Sequence, residues 1–304
     1  MTEDYARARA GLLLGLGAYV TWGIMPLFFK LLADVPASQI VAHRIIWSLV
    51  FLAGLASWWK SWPAVRLALA APRLLLVLVL TAALISINWL VYIYAVVSGH
   101  VLEGSLGYYL NPLVNVLLGV FLLKERLTLP QKGAVLLAAA GVAVLALGAG
   151  DALWISLTLA ASFALYGFLR KVTPVEAVEG LTIETLILTP IALGWLVWLQ
   201  GQGEGAFLTD GATDILLIIG GALTAIPLLL FTAAAKRLRY STLGFLQYVA
   251  PSLQFLLAVL VFGEKLTPAH ILCFGAIWTA LFIFAFEGLR GARAAARAQP
   301  EVTP

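Results

Sequence analysis

Leu106 to Thr128 reads LGYYLNPLVNVLLGVFLLKERLT, and Phe245 to Thr267, 139 residues further on, reads FLQYVAPSLQFLLAVLVFGEKLT. Tyr109 falls on Tyr248, Pro112 on Pro251, Asn115 on Gln254, and Glu125-Arg126-Leu127-Thr128 on Glu264-Lys265-Leu266-Thr267. Apolar helices match one another by composition alone, but a proline and a charged block held at one spacing mark an internal repeat. A weaker echo relates Trp22-Gly23 to Tyr166-Gly167 at a shift of 144.

The chain around these copies cannot be water-soluble. Of its 304 residues 62% are hydrophobic and 11% charged, with a mean hydropathy of +1.00, whereas a soluble domain carries about a quarter charged residues. Ten apolar runs, near 11–33, 40–58, 74–97, 103–123, 131–149, 152–170, 180–199, 213–235, 241–262 and 268–287, are each long enough to cross a bilayer. The connections are short and hold breakers or charge, such as Asp34-Val35-Pro36, Lys60 to Pro63, Gly148 to Asp151 and Gly201 to Gly205. Trp58, Trp59, Trp62, Trp154, Trp195 and Trp198 sit at run ends, where interfacial anchors belong. The first run reads as a retained signal anchor, and residues 288–304 as a cytoplasmic Arg/Ala tail.

Charge placement sets the orientation. With the N-terminus in the cytoplasm, sixteen of the nineteen Lys and Arg residues fall in cytoplasmic segments and two, Lys30 and Lys265, outside, while Arg44 lies within a run. Residues 1–150 and 151–287 each hold five runs, an odd number, so the second half enters the membrane inverted. The charges agree independently, because equivalent loops of the two halves carry opposite positive-charge bias. The expected fold is therefore an all-α integral membrane protein of ten transmembrane helices, arranged as two inverted five-helix repeats with a substrate site near the midplane between them.

At the residue level the run from Leu106 to Pro112 through Asn115, Gly119 and Lys124 to Thr128, with Gly133 and Gly141-Val142, resembles the EamA repeat of the drug/metabolite transporter superfamily. Ala18 to Lys30, His43 to Trp47 and Leu223 to Gly244 resemble the RarD subgroup, whose name derives from an association with chloramphenicol sensitivity. The resemblance covers all but the head and tail, and implies a ten-helix permease of the bacterial inner membrane with both termini cytoplasmic. One departure is Lys124 before the glutamate of the first copy, where the second has Gly263, the commoner pattern.

Polar groups inside hydrocarbon are costly unless paired or facing a cavity, so they define the candidate site. The fourth and ninth runs carry Tyr108, Asn111, Pro112 and Asn115 opposite Gln247, Tyr248, Pro251 and Gln254; the amides and phenols are candidate cavity lining and the prolines candidate hinges. Asn88, Trp89 and Tyr92 in the third run, Tyr19 and Trp22 in the first and Tyr166 in the sixth add rings with polar tips, suited to a flat or amphipathic substrate. Packing and helix-to-helix hydrogen bonding account for the same residues in a purely structural way. Gating or coupling candidates are His43, Arg44, Glu103 and Glu184. Arg44 and Glu184 lie at similar depth from opposite faces, so Arg44 is expected to meet Asp34 or Glu103, and Glu184 to meet Arg170 or Lys236. Glu125 and Glu264 read as loop-capping residues.

These features point to an inner-membrane secondary transporter, a permease or exporter of small organic metabolites or drugs, working by alternating access between the inverted repeats, with substrate and lipid as partners and a monomer compatible with the sequence. A passive channel-like facilitator is the alternative, although charged pore rings are lacking. A membrane-embedded enzyme would need a catalytic motif that is absent. No P-loop is present, and the scattered net charge of +4 fits neither nucleotide nor nucleic acid as a partner. The single Cys273 and the isolated His43, His100 and His270 give no metal site, and no cofactor is expected.

Overall fold

The computed structural model describes residues 2–32, 34–97, 101–147, 153–261 and 268–297, and within them every regular element is a helix. These are α1 (Thr2–Lys30), α2 (Ala37–Trp58), α3 (Trp62–Leu69), α4 (Pro72–Val97), α5 (Val101–Phe121), α6 (Leu129–Ala146), α7 (Leu153–Val172), α8 (Ala177–Gly201), α9 (Gly211–Ala235), α10 (Tyr240–Gln247), α11 (Val249–Leu260) and α12 (Pro268–Arg297). Helices are the only open element that satisfies every backbone group without water. Six of them, α1, α2, α4, α7, α8 and α9, are long and apolar enough to cross a membrane, and α5, α6 and α12 contain shorter apolar stretches. Their outward faces carry Leu13, Ile24, Leu76, Leu90, Leu136, Ile191 and Phe282, all well exposed, a coat that only lipid accommodates.

Three features depart from the run-by-run expectation. The connection holding Arg66 is itself a short helix, α3, started by Pro63 in its first turn, where a missing N–H costs nothing. The run 241–262 is broken at Tyr248 into α10 and α11. The cause is Pro251, which can donate nothing to the Gln247 carbonyl four residues back and whose ring crowds it. Pro112, its counterpart, stays inside an unbroken α5. Finally, the Arg/Ala tail continues α12 as helix to Arg297. Glu264 and Lys265 lie outside the described residues, as do Gly148 to Asp151, His100 and the side chains of Glu103 and His270.

The helices form two large apolar cores, with two smaller clusters beside them, that do not follow chain order. One collects Tyr19, Leu52, Ile85, Tyr166, Leu188, Leu228, Phe231 and Leu243 from α1, α2, α4, α7, α8, α9 and α10. The other collects Tyr109, Val116, Ala138, Phe245, Phe274 and Ile277 from α5, α6, α10 and α12. The closest pairings join the first half of the chain to the second: α6 with α12, α5 with α7, α2 with α8 and α9, α1 with α9 and α11, α4 with α7 and α8. Exchanging α1 with α7, α2 with α8, α4 with α9, α5 with α10 and α11, and α6 with α12 carries this neighbour scheme onto itself. Close crossings rely on small residues. A Cβ on Gly221 would lie 2.4 Å from the Trp47 backbone carbon, and the Gly221 carbonyl accepts from Ser48 Oγ at 2.8 Å.

Candidate functional site

One face of α1 presents Tyr19, Trp22, Pro26 and Phe29 at helical spacing, and together with Met25 it forms one wall of a cavity of about 300 Å³. The opposite walls come from Ile85, Asn88, Trp89 and Tyr92 on α4, Arg44 on α2, Tyr108 on α5, Phe163 on α7, Thr224 and Leu228 on α9, and Gln247, Ala250, Pro251 and Gln254 on α10 and α11. On α1 and α4 these residues lie in the C-terminal half of the helix, and on α2 near the N-terminal end, so the cavity runs from mid-helix toward the end of the bundle where α1 finishes.

Rings build its apolar surface. Trp22 meets Phe163 edge-on at 5.6 Å, Tyr19 lies 5.7 Å from Trp22, and Tyr92 meets Tyr108 at 5.7 Å. The amides both face the cavity and tie helices together. Asn88 Nδ2 donates to the Leu159 carbonyl at 2.9 Å and to Ser162 Oγ at 3.0 Å. Gln247 Oε1 accepts from Asn115 Nδ2 at 2.7 Å. Gln254 Nε2 donates at 3.1 Å to the Trp22 carbonyl, the group that Pro26 leaves without its helical donor. Cavity lining and helix tying are thus not alternatives for these residues.

Of the sequence candidates, Tyr19, Trp22, Asn88, Trp89, Tyr92, Tyr108, Gln247, Gln254 and the candidate hinge Pro251 come together around the cavity, and so does Arg44. Asn111, Asn115, Tyr166 and Tyr248 are fully buried behind it and do not line it. For Asn115 the position follows from rotation along the helix, which turns it from the Tyr108 face into the contact with α10. Sequence reasoning missed Met25, Pro26 and Phe29, although they continue the Tyr19 and Trp22 face, and it missed Thr224, a lone hydroxyl in an otherwise apolar stretch of α9.

The gating candidates separate. Glu184 is buried and pairs with Arg170 (Nε to Oε1 3.7 Å), while also accepting from Thr81 Oγ1 at 2.6 Å and Tyr166 OH at 3.2 Å. Lys236, the other expected partner, instead donates to the Val175 carbonyl and reaches Glu176 at 3.4 Å. Arg44 does not meet Asp34, which is exposed on the turn after α1; its Nε donates to Thr224 Oγ1 at 2.7 Å. The guanidinium carbon lies 5.2 Å from the Phe29 ring centre and 5.6 Å from that of Trp89. His43 lies outside the cavity and packs on Phe207 with ring centres 5.0 Å apart. There Gln39 holds the loop after α8, donating to the Glu204 carbonyl and accepting from the Ala206 N–H, both at 2.7 Å.

Glu125 caps a helix, but not one in its own half. Its carboxylate accepts from the Tyr240 N–H at 2.5 Å, the Ser241 N–H at 2.9 Å and Ser241 Oγ at 2.5 Å, closing the first turn of α10. Lys124 beside it has φ of 56°, the left-handed region in which a glycine costs least.

The family model "EamA-like transporter family" matches residues 9–147. An "Uncharacterized transporter" of Vibrio cholerae is 45% identical over 98% of this chain and 99% of its own length. The "Protein RarD" of Escherichia coli K12 is 44% identical over 94% of this chain and 97% of its own. The chain belongs to the RarD-like EamA transporters. It is accordingly a multi-pass membrane transporter. A RarD-like relative in Pseudomonas aeruginosa, 37% identical over 94% of this chain and 97% of its own, is named "Chloramphenicol-sensitive protein RarD". A crystal structure 20% identical in sequence superposes with a TM-score of 0.72 over 93% of this chain and 98% of its own, so the fold extends well beyond the RarD-like branch.

Proposed function

We propose that this RarD-like transporter is a secondary transporter of the bacterial inner membrane that carries small organic molecules by alternating access. Ten membrane-crossing helices, with α10 and α11 forming one broken crossing, would make two inverted five-helix repeats with both termini cytoplasmic. The observation that carries this reading is the cavity, whose polar and aromatic walls come from α1, α2, α4 and α5 of the first half and α7, α9, α10 and α11 of the second. The neighbour scheme that maps onto itself when the halves are exchanged, and the concentration of positive charge on one set of loops, support the repeat and its orientation.

In this reading the Arg170–Glu184 pair closes the cytoplasmic end, and the cavity faces the other side. Transport then requires that closure to open while the opposite end shuts. Because both of these apolar cores take helices from both halves, each moving body would mix helices of the two halves and not be residues 1–150 or 151–287 alone.

Labelling tests this. With Cys273 replaced by Ser, a cysteine introduced at Gln254 should be reached by membrane-impermeant thiol reagents from both faces of oriented vesicles. Access from one face only, under every condition of substrate and pH, would refute alternating access; conduction without saturation in liposomes would favour a channel-like facilitator.

A further inference from the structure

Arg44 and Glu184 occupy corresponding places. Each is the eighth residue of its helix, α2 or α8, about 10 Å from the helix start. Each is hydrogen-bonded by a threonine from corresponding helices, Thr224 on α9 for Arg44 and Thr81 on α4 for Glu184. At the Glu184 end the charge is answered: Arg170 supplies the cation and Tyr166 a further hydroxyl, both from α7. The 144-residue correspondence of α1 with α7 puts Trp22 where Tyr166 stands and Pro26 where Arg170 stands, so these two positions of α1 hold neither a charge nor a hydroxyl. The space left there is the cavity, and Arg44, half-buried, lines it.

Among the described residues no carboxylate lies within salt-bridge distance of Arg44. Among the described residues the phenols of Tyr108 and Tyr92 act electrostatically on its charge, and the faces of Phe29 and Trp89 flank the guanidinium. A guanidinium has five donors and cannot be neutralised by losing a proton. One threonine oxygen and two ring faces do not compensate a permanent charge within hydrocarbon depth, which is why such residues mark ligand pathways.

We propose that Arg44 anchors an organic-anion site: it receives the carboxylate of a small monocarboxylate, whose aromatic or other apolar body lies against Trp22, Trp89 and Phe163. The planar fork of arginine matches a carboxylate in two parallel hydrogen bonds, and the enclosed apolar walls strengthen that pairing. Among the described residues the lining holds no carboxylate to receive an ammonium group, which separates a monoanion from a zwitterionic amino acid, and a cavity of about 300 Å³ is at the small end for ligand sites. The assignment rests on the cavity being the transport site.

The test uses the purified full chain, with phenylacetate, 3-phenylpropanoate and indole-3-acetate as probes. Each is compared with its neutral carboxamide and with phenylalanine or tryptophan, by tryptophan fluorescence, thermal stabilisation and counterflow in liposomes. At least one carboxylate should bind about tenfold to a hundredfold more tightly than its amide. That preference should vanish in Arg44→Gln and survive in part in Arg44→Lys. Amide and acid binding equally, an amino acid binding better than both, no carboxylate binding, or Arg44→Gln keeping the preference would each overturn the assignment. If Arg44→Gln fails to fold, the acid-to-amide ratio in the unaltered protein decides alone. Exchange of neutral compounds with no acid preference would leave the transport reading intact and remove the anion site. Acid binding with no exchange of any compound would do the reverse.

Discussion

Replacing Glu184 by glutamine should be among the most destabilising conservative changes this protein can suffer. The side chains of Arg170 and Glu184 are 0% and 4% exposed, so neither charge is shared with solvent. Glutamine keeps the volume, but its one carbonyl oxygen can replace only one of the two carboxylate oxygens that accept from Thr81 and Tyr166, and it leaves the Arg170 guanidinium uncompensated. Two carbonyls, of Glu176 at 3.3 Å and Ala177 at 3.2 Å, remain to it, while its Nε and Nη1 make no hydrogen bond. Arg170 cannot swing away, because the cage is tight: a Cβ on Gly180 would come within 1.9 Å of Nη1. Breaking a buried pair from one side costs about 3–5 kcal/mol. Arg170→Met should cost less, about 1–3 kcal/mol, since the carboxyl left behind can take up a proton and keeps its two hydroxyl donors. The double variant removes both charges and should lie within about 2 kcal/mol of the original, a coupling of at least about 2 kcal/mol. Equilibrium unfolding in mixed dodecylmaltoside and SDS micelles measures all four proteins. A loss below about 1 kcal/mol for Glu184→Gln, or a double variant as poor as the two singles added, would refute this account.

Three further outcomes follow from single contacts. Glu125→Ala removes three hydrogen bonds from the first turn of α10 and should lower stability by about 2 kcal/mol, seen in the same unfolding assay, with faster amide exchange over Tyr240 to Gly244 than elsewhere. Lys124→Gly relieves a left-handed residue at an exposed turn and should raise stability by about 0.5–1 kcal/mol; a loss would mean that the lysine side chain contributes more than its backbone costs. Asp210 caps α9, and hydrogen bonds from the Thr213 backbone N–H and then its hydroxyl hold the carboxyl below its ordinary value. A depressed value means that the cap stabilises above the ordinary carboxylate pKa and is lost as pH falls through the depressed one. Asp210→Ala should therefore unfold more easily than the original at pH 7 and no more easily in strong acid, and a difference independent of pH would rule the carboxylate out as the cause.

Much of the site was legible because membrane burial makes polar residues conspicuous. Asn88, Tyr108, Gln247 and Gln254 stand out in apolar runs, and each does face the cavity. Legibility stopped at rotation and at contacts between distant helices. Asn115 has the same spacing from Tyr108 as a lining residue would, yet it turns toward Gln247 and is sealed off. Phe29, Phe163 and Leu228 are indistinguishable in sequence from lipid-facing residues, because an apolar side chain costs nothing on either side of a membrane helix. Glu125 looks like a local cap, and its partner proves to be a helix that starts more than a hundred residues later.

Sequence alone determined that the chain lies in a membrane and is all-helical, and it carried the spacing of a repeated proline and charged block. Those properties are local or additive: hydropathy summed over a run, and a charge that either crosses a bilayer or does not. The tertiary structure alone decided which faces converge, that Pro251 breaks its helix where Pro112 does not, and that Glu184 meets Arg170 while Arg44 meets Thr224 and two rings. Convergence depends on helix rotation and crossing, set by close contacts such as Gly221 against Trp47 that no single helix encodes. For the same reason, two charges in corresponding places serve different ends, one bound by its own protein and one facing an open cavity.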